Sequence, residues 1–222
     1  VMGNLSTDQA RALTSTQVQG LTASQLNRLS TDAIQALDTE DVAALSNVQV
    51  SNLSTTQVRA LSSDQVVSLR ASQLGAMSYR QLEVLDNGEF GQLDSSQIQG
   101  IVAKQFAQLS SDRIAELTTD QIQALTTAQV AAMTTANISK LTTDQVQALT
   151  STQVKALTTA QLAAFGSDAI GALDTDDVAA LSTAQVRYLT TDAVKALTSE
   201  QVKALRSSQI GALTSAQIEA FD

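Results

Sequence analysis

Residues 142–165 read TTDQVQAL-TSTQVKAL-TTAQLAAF, which is one eight-residue unit written three times. The same frame runs without a gap or an insertion from Ser6 to Phe221, so the chain contains 27 copies of the unit. We number the positions of the unit one to eight. Position eight is Leu in 22 copies, position one is Ser or Thr in 19, position four is Gln in 19, and position five is always apolar. A frame held over this length identifies a tandem repeat protein.

Two regular structures do not fit this period. In one continuous α-helix, eight residues would advance two turns plus about 80°, so the apolar stripe would wind around the helix and leave no face to bury. A β-solenoid would favour alternation and β-branched residues, whereas each unit ends in Gln-Val-x-Ala-Leu, in which Gln, Ala and Leu are good helix formers. A chain of separate short helices remains.

Capping chemistry selects the frame of each helix. Ser or Thr at position one and Gln at position four form the capping-box pattern, in which each side chain satisfies a free backbone N–H of the other residue. The preceding Leu and the apolar residue at position five then form the hydrophobic staple. We expect a helix of about six or seven residues in each unit, a break at one extended Ser or Thr, and solvent-facing positions two, three and six.

The sequence therefore predicts an all-α fold, a solenoid or superhelix of about 27 very short helices, as a single array over residues 1–222. A helix of this length is not stable alone, so units in adjacent coils must pack on one another. Residues 6–85 are echoed by residues 142–221 at a shift of 136, whereas residues 86–141 are the most divergent. The echo indicates a block duplication or, alternatively, a structural period of 17 units.

The divergent segment contains the larger apolar residues Phe90 and Phe106, which we expect to fill the core. It also contains Asp86, Glu89 and Asp94, whose oxygen atoms are candidate calcium ligands. Their spacing differs from that of an EF-hand loop, and an acidic cluster is more often a solvated face. The acidic pairs Asp38/Asp41 and Asp174/Asp177 are more simply explained as replacements for the capping residues.

The composition argues against several classes of function. The chain has no His and no Cys, so the usual zinc ligands, the commonest general base and the thiol nucleophile are missing together. We predict no catalytic residue, no cofactor and no enzyme activity. The net charge of −9 argues against binding to nucleic acid or to an anionic membrane surface. The uncharged stretches are interrupted by Ser, Thr and Gln, which predicts no insertion into a membrane.

Two resemblances follow from the unit. Residues 141–149, LTTDQVQAL, are similar to the first helix of the TAL-effector repeat, but they lack its Pro, its base-reading dipeptide and its second helix, so the likeness is limited to a capping box. Tandem LTTxQVxAL units also resemble octapeptide helical segments of large secreted or surface-exposed bacterial proteins of the adhesin and RTX kind. That resemblance implies a structural or adhesive role outside the cell.

These observations lead to two expectations of function. The first is a structural or adhesive repeat segment, or a filament-forming subunit, of an extracellular bacterial protein, with both ends of the chain as cuts through a longer array. Its partners would be further copies of the chain or neighbouring repeats of the same chain. The alternative is an α-solenoid scaffold that binds proteins through position six, which varies most.

Overall fold

The computed structural model describes residues 5–85 and 87–221, and every helix in this part of the chain is short. The helices are α1 Thr7–Arg11, α2 Ser15–Gln19, α3 Ala23–Leu26, α4 Thr31–Gln35, α5 Thr39–Ala44, α6 Asn47–Ser51, α7 Thr55–Arg59, α8 Ser63–Val67, α9 Ala71–Ala76, α10 Tyr79–Glu83, α11 Asn87–Gln92, α12 Ser95–Gly100, α13 Ala103–Phe106, α14 Ser111–Ala115, α15 Thr119–Ala124, α16 Thr127–Ala132, α17 Thr135–Ile138, α18 Thr143–Gln147, α19 Ser151–Ala156, α20 Thr159–Ala163, α21 Ser167–Ala172, α22 Thr175–Ala180, α23 Thr183–Arg187, α24 Thr191–Lys195, α25 Ser199–Ala204, α26 Ser207–Ile210 and α27 Ser215–Glu219. The predicted all-α repeat architecture, with one helix per unit, is confirmed.

Each helix begins where the sequence predicts. In α15, the hydroxyl of Thr118 accepts a hydrogen bond from Gln121 N at 3.2 Å, and Gln121 Oε1 accepts one from Thr118 N at 2.9 Å. Thr118 is extended, with φ −71° and ψ 163°. No residue in the described part of the chain has a positive φ, in agreement with the lack of a regular glycine after each helix.

The helices are shorter than predicted, with four to six residues instead of six or seven. In the six-residue helices with a described C-cap, position eight is extended as well as position one; Leu125, for example, has φ −58° and ψ 137°. The break therefore takes two extended residues in these units, not the single one that we predicted. Position eight is buried in these units, as Leu125 is, so the extended residue carries a core side chain.

The chain forms two compact units, one ending at Leu109 and the other beginning at Ser110. This boundary lies inside the divergent segment 86–141. Within each unit, each helix packs against the helix three positions further along the chain, as α2 does on α5 and α19 on α22. Side chains at position four reach back four helices, as described below. Each coil therefore holds between three and four repeats.

The core is built from positions five and eight. In α19 and its following residue, Val154 and Leu157 are buried, and the same positions are buried through most of both units. Phe90 and Phe106 are fully buried, which confirms their predicted place in the core. Burying one Leu and one Val or Ile contributes roughly 3–6 kcal/mol per unit, so packing between coils is the main source of stability.

Two glycines allow an especially close approach of α9 and α12. A Cβ atom added to Gly75 would lie 2.5 Å from the carbonyl oxygen of Gly100, and one added to Gly100 would overlap the backbone of Ala71. The two backbones therefore touch at these glycines, which no larger residue would permit.

Candidate interaction surfaces

The glutamine at position four has two separate roles, and Gln153 shows both. Its Oε1 atom accepts a hydrogen bond from Thr150 N at 2.7 Å, which completes the capping box of α19. Its Nε2 group donates to Ile122 O at 2.8 Å and to Leu125 O at 2.7 Å, in the repeat four units earlier. One side chain therefore caps its own helix and joins two coils, and all its polar atoms are satisfied although the residue is buried.

The same contact recurs in both compact units, and we call it the glutamine ladder. In most members, Nε2 reaches the carbonyl groups 31 and 28 residues earlier, at positions five and eight. The residues that make the contact are Gln49, Gln57, Gln65, Gln73, Gln81, Gln97, Gln105, Gln145, Gln153, Gln161, Gln185, Gln201, Gln209 and Gln217.

Sequence reasoning found the cap and missed the ladder. The signal was present, because a capping box accepts Glu and Gln alike, yet position four is Gln in 19 copies and Glu only in Glu89. Of these two residues, only Gln can both accept a hydrogen bond from its own cap and donate one to another coil.

At position four of two repeats, an aspartate stands in place of the ladder glutamine and accepts a hydrogen bond from a serine of another repeat. Asp41 Oδ1 accepts a hydrogen bond from Ser15 Oγ at 2.7 Å, and Asp177 Oδ1 accepts one from Ser151 Oγ at the same distance. The two pairs are related by the shift of 136 residues. Each hydroxyl lies three units before its aspartate, so these contacts also join adjacent coils. Asp38 N donates to Asp41 Oδ2 at 3.4 Å, which is one half of the predicted capping box, but neither the Asp38 nor the Asp174 side chain accepts a cap hydrogen bond.

Two arginines add a second pair of equivalent contacts. Arg70 Nη2 donates to Leu45 O at 2.8 Å, and Arg206 Nη2 donates to Leu181 O at 2.9 Å. These arginines occupy position one, where the other repeats have mostly Ser or Thr. An arginine at position one has no hydroxyl to cap its helix, but its guanidinium donates a hydrogen bond to the preceding coil. The irregular residues of the two echoed blocks therefore make matching contacts.

Asp177 is the least well satisfied of these replacements. Its Oδ2 atom is buried without a hydrogen-bond partner. Burial raises the pKa of Asp177, and the nearby carboxylates of Asp174 and Asp176 act in the same direction, whereas the hydrogen bond from Ser151 opposes the shift. The folded chain therefore holds a proton on Asp177 to a higher pH than the unfolded chain does. The stability that this residue contributes is present at low pH and is lost as the pH rises through the pKa of the folded state.

We expect Asp177→Asn to raise the free energy of unfolding by about 1 kcal/mol at pH 7, because the amide removes a buried charge and keeps an acceptor for Ser151. Asn137 already occupies the same position, where its Oδ1 accepts from Thr134 N at 2.9 Å. The difference from the original chain should shrink as the pH falls, as measured by urea unfolding over a pH series. Asp144→Asn, exposed at position three of α18, is the control for the loss of one negative charge. If Asp177→Asn raised the free energy of unfolding by the same amount at every pH, the raised pKa that we assign to Asp177 would be contradicted.

The outer surface follows the predicted pattern in most units, with positions two, three and six mostly exposed or partly exposed. Shallow grooves run between helices that are stacked three apart. Arg11 of α1 and Asp32 of α4 line one of them, and Lys195 and Asp192 of α24 line another with Ser167 of α21. In the first groove, Arg11 at position six lies beside Asp32 at position three of the helix packed on it.

One face of the first unit exposes glutamines that elsewhere form the ladder. Gln9 and Gln17 are exposed and Gln25 is half-buried, whereas the ladder glutamines are buried. Their Oε1 atoms still accept from Ser6 N, Thr14 N and Thr22 N, so the three helices remain capped. Their Nε2 groups have no acceptor in the described chain. We call this surface, formed by Gln9, Gln17 and Gln25, the amide face.

One face of the second unit exposes the surfaces that a ladder glutamine would cover. Ile210 is 39% exposed, Ile218 is 47% exposed and Phe221 is 38% exposed, although Val154 at an equivalent interior position is fully buried. Phe221 also lines a groove of about 700 Å³, together with Val194, Val202 and their neighbours. We call this surface, formed by positions five and eight of the last four repeats and by their carbonyl groups, the carbonyl face.

The calcium hypothesis gains no support from the geometry. Asp86 lies outside the described residues. Glu89 is buried in the first turn of α11, and Asp94 caps α12 by accepting a hydrogen bond from Gln97 N at 2.8 Å. Within residues 5–85 and 87–221, no group of three or more acidic residues is arranged to hold a metal ion. The carboxylate of Asp94 is thus engaged in ordinary helix capping.

Comparison with known proteins identifies the repeat. The sequence profile of the ALTTAQ repeat matches the chain seven times, at residues 34–71, 49–79, 98–135, 122–159, 138–175, 152–183 and 170–207. Together these matches cover more than half of the chain. No curated protein matches it. Among the described helices, none is long and apolar enough to cross a membrane. The chain belongs to the ALTTAQ repeat family.

Proposed function

We propose that this chain is a structural or adhesive repeat segment, or a filament-forming subunit, of an extracellular bacterial protein. The observation that carries the proposal is the glutamine ladder. Because each ladder glutamine satisfies its own helix and the coil before it, each interior repeat is equivalent to the next. Such an array gains length by adding units without redesigning its core, which suits a spacer or a filament.

The outer surface supports the same function. The exposed positions are rich in Ser, Thr and Asp, and the net charge is −9, which keeps a long array soluble. The location outside the cell follows from the resemblance to repeat segments of large secreted and surface-exposed bacterial proteins.

A second candidate is a scaffold that binds another protein through position six. The observation that favours it is the series of grooves between stacked helices, since Arg11 and Lys195 line two of them. Solenoids commonly use surfaces of this kind to bind partners.

Antibody labelling of the producing bacterium tests both candidates. We expect intact cells to be labelled and a cytoplasmic protein of the same cells to remain unlabelled until the cells are permeabilised. Replacing Arg59, Lys155 and Arg187 with Gln, all exposed at position six, should leave surface display and cell attachment unchanged if the role is structural. Labelling only after permeabilisation would contradict an extracellular role. Loss of attachment with these three substitutions would favour the scaffold.

A further inference from the structure

Asp177 carries a buried carboxylate that lacks a cationic partner among the described residues. Asp177 is 3% exposed, and its Oδ2 atom accepts no hydrogen bond in this part of the chain. The helices α19 and α25 pack on α22, which contains Asp177, and their cations Lys155 and Lys203 form no ion pair with it. The equivalent Asp41 differs, because its Oδ2 atom accepts a hydrogen bond from a backbone N–H at 3.4 Å. A buried charge of this kind is costly unless something neutralises it.

Two carbonyl groups belong to the same place in the ladder. A glutamine at position 177 would donate its Nε2 group to the oxygen atoms 31 and 28 residues earlier, which are those of Val146 and Leu149. Both residues are buried. Aspartate has no N–H group and is one methylene shorter, so neither oxygen receives the ladder hydrogen bond. Within the described residues, Leu149 O accepts no hydrogen bond at all.

A serine holds the carboxylate beside these carbonyl groups. Ser151 Oγ donates a hydrogen bond to Asp177 Oδ1 at 2.7 Å. Ser151 follows Leu149 by two residues, so the carboxylate reaches the stretch of chain that carries this carbonyl group. The serine oxygen keeps its lone pairs after it has donated its proton. The spacing of the ladder therefore brings together four oxygen atoms, of one carboxylate, one hydroxyl and two carbonyl groups.

This set of oxygen atoms suits a monovalent metal ion. Carboxylate, carbonyl and hydroxyl oxygen atoms are ligands of hard cations. Ca²⁺ takes about six to eight oxygen ligands and Mg²⁺ requires a near-octahedral site, whereas the four atoms here carry a single negative charge. Burial raises the pKa of Asp177, and the exposed carboxylates of Asp174 and Asp176 raise it further. A bound cation would offset both the burial and the repulsion.

We propose that Asp177 Oδ2, Ser151 Oγ, Val146 O and Leu149 O bind a monovalent metal cation, Na⁺ or K⁺. The cation takes the part that the glutamine amide plays elsewhere in the ladder, since it connects α22 to the carbonyl groups of the preceding coil. This site does not depend on the extracellular role proposed above. It makes the stability of the second compact unit depend on the cation of the solution.

Urea unfolding of the full chain in three salts at equal ionic strength tests the site. A pH of about 8 favours the ionised carboxylate. The salts are NaCl, KCl and choline chloride, whose organic cation is too large to take the place of an amide. For a dissociation constant on the order of 10 mM, about 0.2 M of the binding ion should raise the folding equilibrium constant about 20-fold over choline chloride. The salt that stabilises more identifies the ion, and equal stability in all three salts would overturn the proposal.

Asp177→Gln is the decisive variant. Glutamine restores the ladder hydrogen bonds to Val146 O and Leu149 O and removes the charge that binds the ion, so the chain should fold and lose the difference between the salts. Ser151→Ala removes one ligand and should reduce that difference. Asp120→Asn, exposed at position three of α15, removes one negative charge elsewhere and should respond to the salts like the original chain.

The outcomes also separate a metal ion from a proton. If the Asp177→Gln chain keeps the difference between the salts, the ions act elsewhere and the proposal is wrong. If the original chain is equally stable in all three salts and loses stability as the pH rises, the partner of the carboxylate is a proton and the metal site is refuted. If a metal ion binds, the gain expected for Asp177→Asn should be larger in choline chloride than in the salt of that ion. Circular dichroism spectra equal to that of the original chain establish that each variant is folded.

Discussion

Replacing Gln153 with Glu should lower the free energy of unfolding by about 3–5 kcal/mol at pH 7. The capping oxygen is kept, so the helix start is not affected. The Nε2 donor is lost, and a carboxylate oxygen is placed against the carbonyl oxygen atoms of Ile122 and Leu125, which now lie 2.8 and 2.7 Å from the donor. The residue is buried, so water cannot solvate the charge.

Urea unfolding followed by far-ultraviolet circular dichroism measures this effect. Gln9→Glu is the matched control, because it makes the same change at position four where the side chain is exposed. The control should shift the free energy of unfolding by less than about 0.5 kcal/mol. Protonation of the introduced carboxylate would restore one donor at this position, so the deficit should shrink as the pH falls. Equal effects of the two substitutions would contradict the role that we assign to the ladder.

Gly100→Ala should be the second most damaging change, with a loss of about 1–3 kcal/mol. A Cβ atom on Gly100 would overlap the backbone of Ala71, which cannot move aside as a flexible side chain could. The α9 and α12 helices would have to separate, and Gln105 and Gln97, which bridge the same coils, would lose their geometry.

Gly171→Ala is the control for this prediction, since an added Cβ atom meets only one carbonyl oxygen, of Ala196, at 3.4 Å. Gly171 lies inside α21, where Ala is the better helix former, so this variant should be as stable as the original chain or more stable. Thermal unfolding of the two variants compares them directly. A Gly100→Ala chain at least as stable as the Gly171→Ala chain would show that the two backbones are not in contact.

The sequence predicts the fold through local chemistry. A hydroxyl at position one and an amide at position four fix where each helix begins, because both partners lie within one turn of each other. The buried positions five and eight follow from the same frame. The predicted helix ends are less accurate, because Leu125 and its equivalents lie outside the helix. Their side chains are buried in a core to which other coils contribute.

The ladder and the faces could not be predicted in this way. They depend on how many repeats fill one coil, and that number is set by packing between residues that are distant in the chain. Gln153 reads as a capping residue in the sequence, and nothing near it indicates that Ile122 lies above its amide. The sequence likewise makes Asp94 a candidate calcium ligand, although its carboxylate accepts a hydrogen bond from the backbone of its own helix.

The most direct test of the glutamine ladder is hydrogen exchange of glutamine side-chain amides, measured by NMR in dilute solution on the unaltered chain. The account predicts slow exchange for the Nε2 protons of buried ladder residues such as Gln153 and Gln209, and fast exchange for Gln9, Gln17 and the exposed Gln147. Fast exchange at Gln153 and Gln209, at the rate of Gln147, would show that no amide joins the coils and would contradict the account.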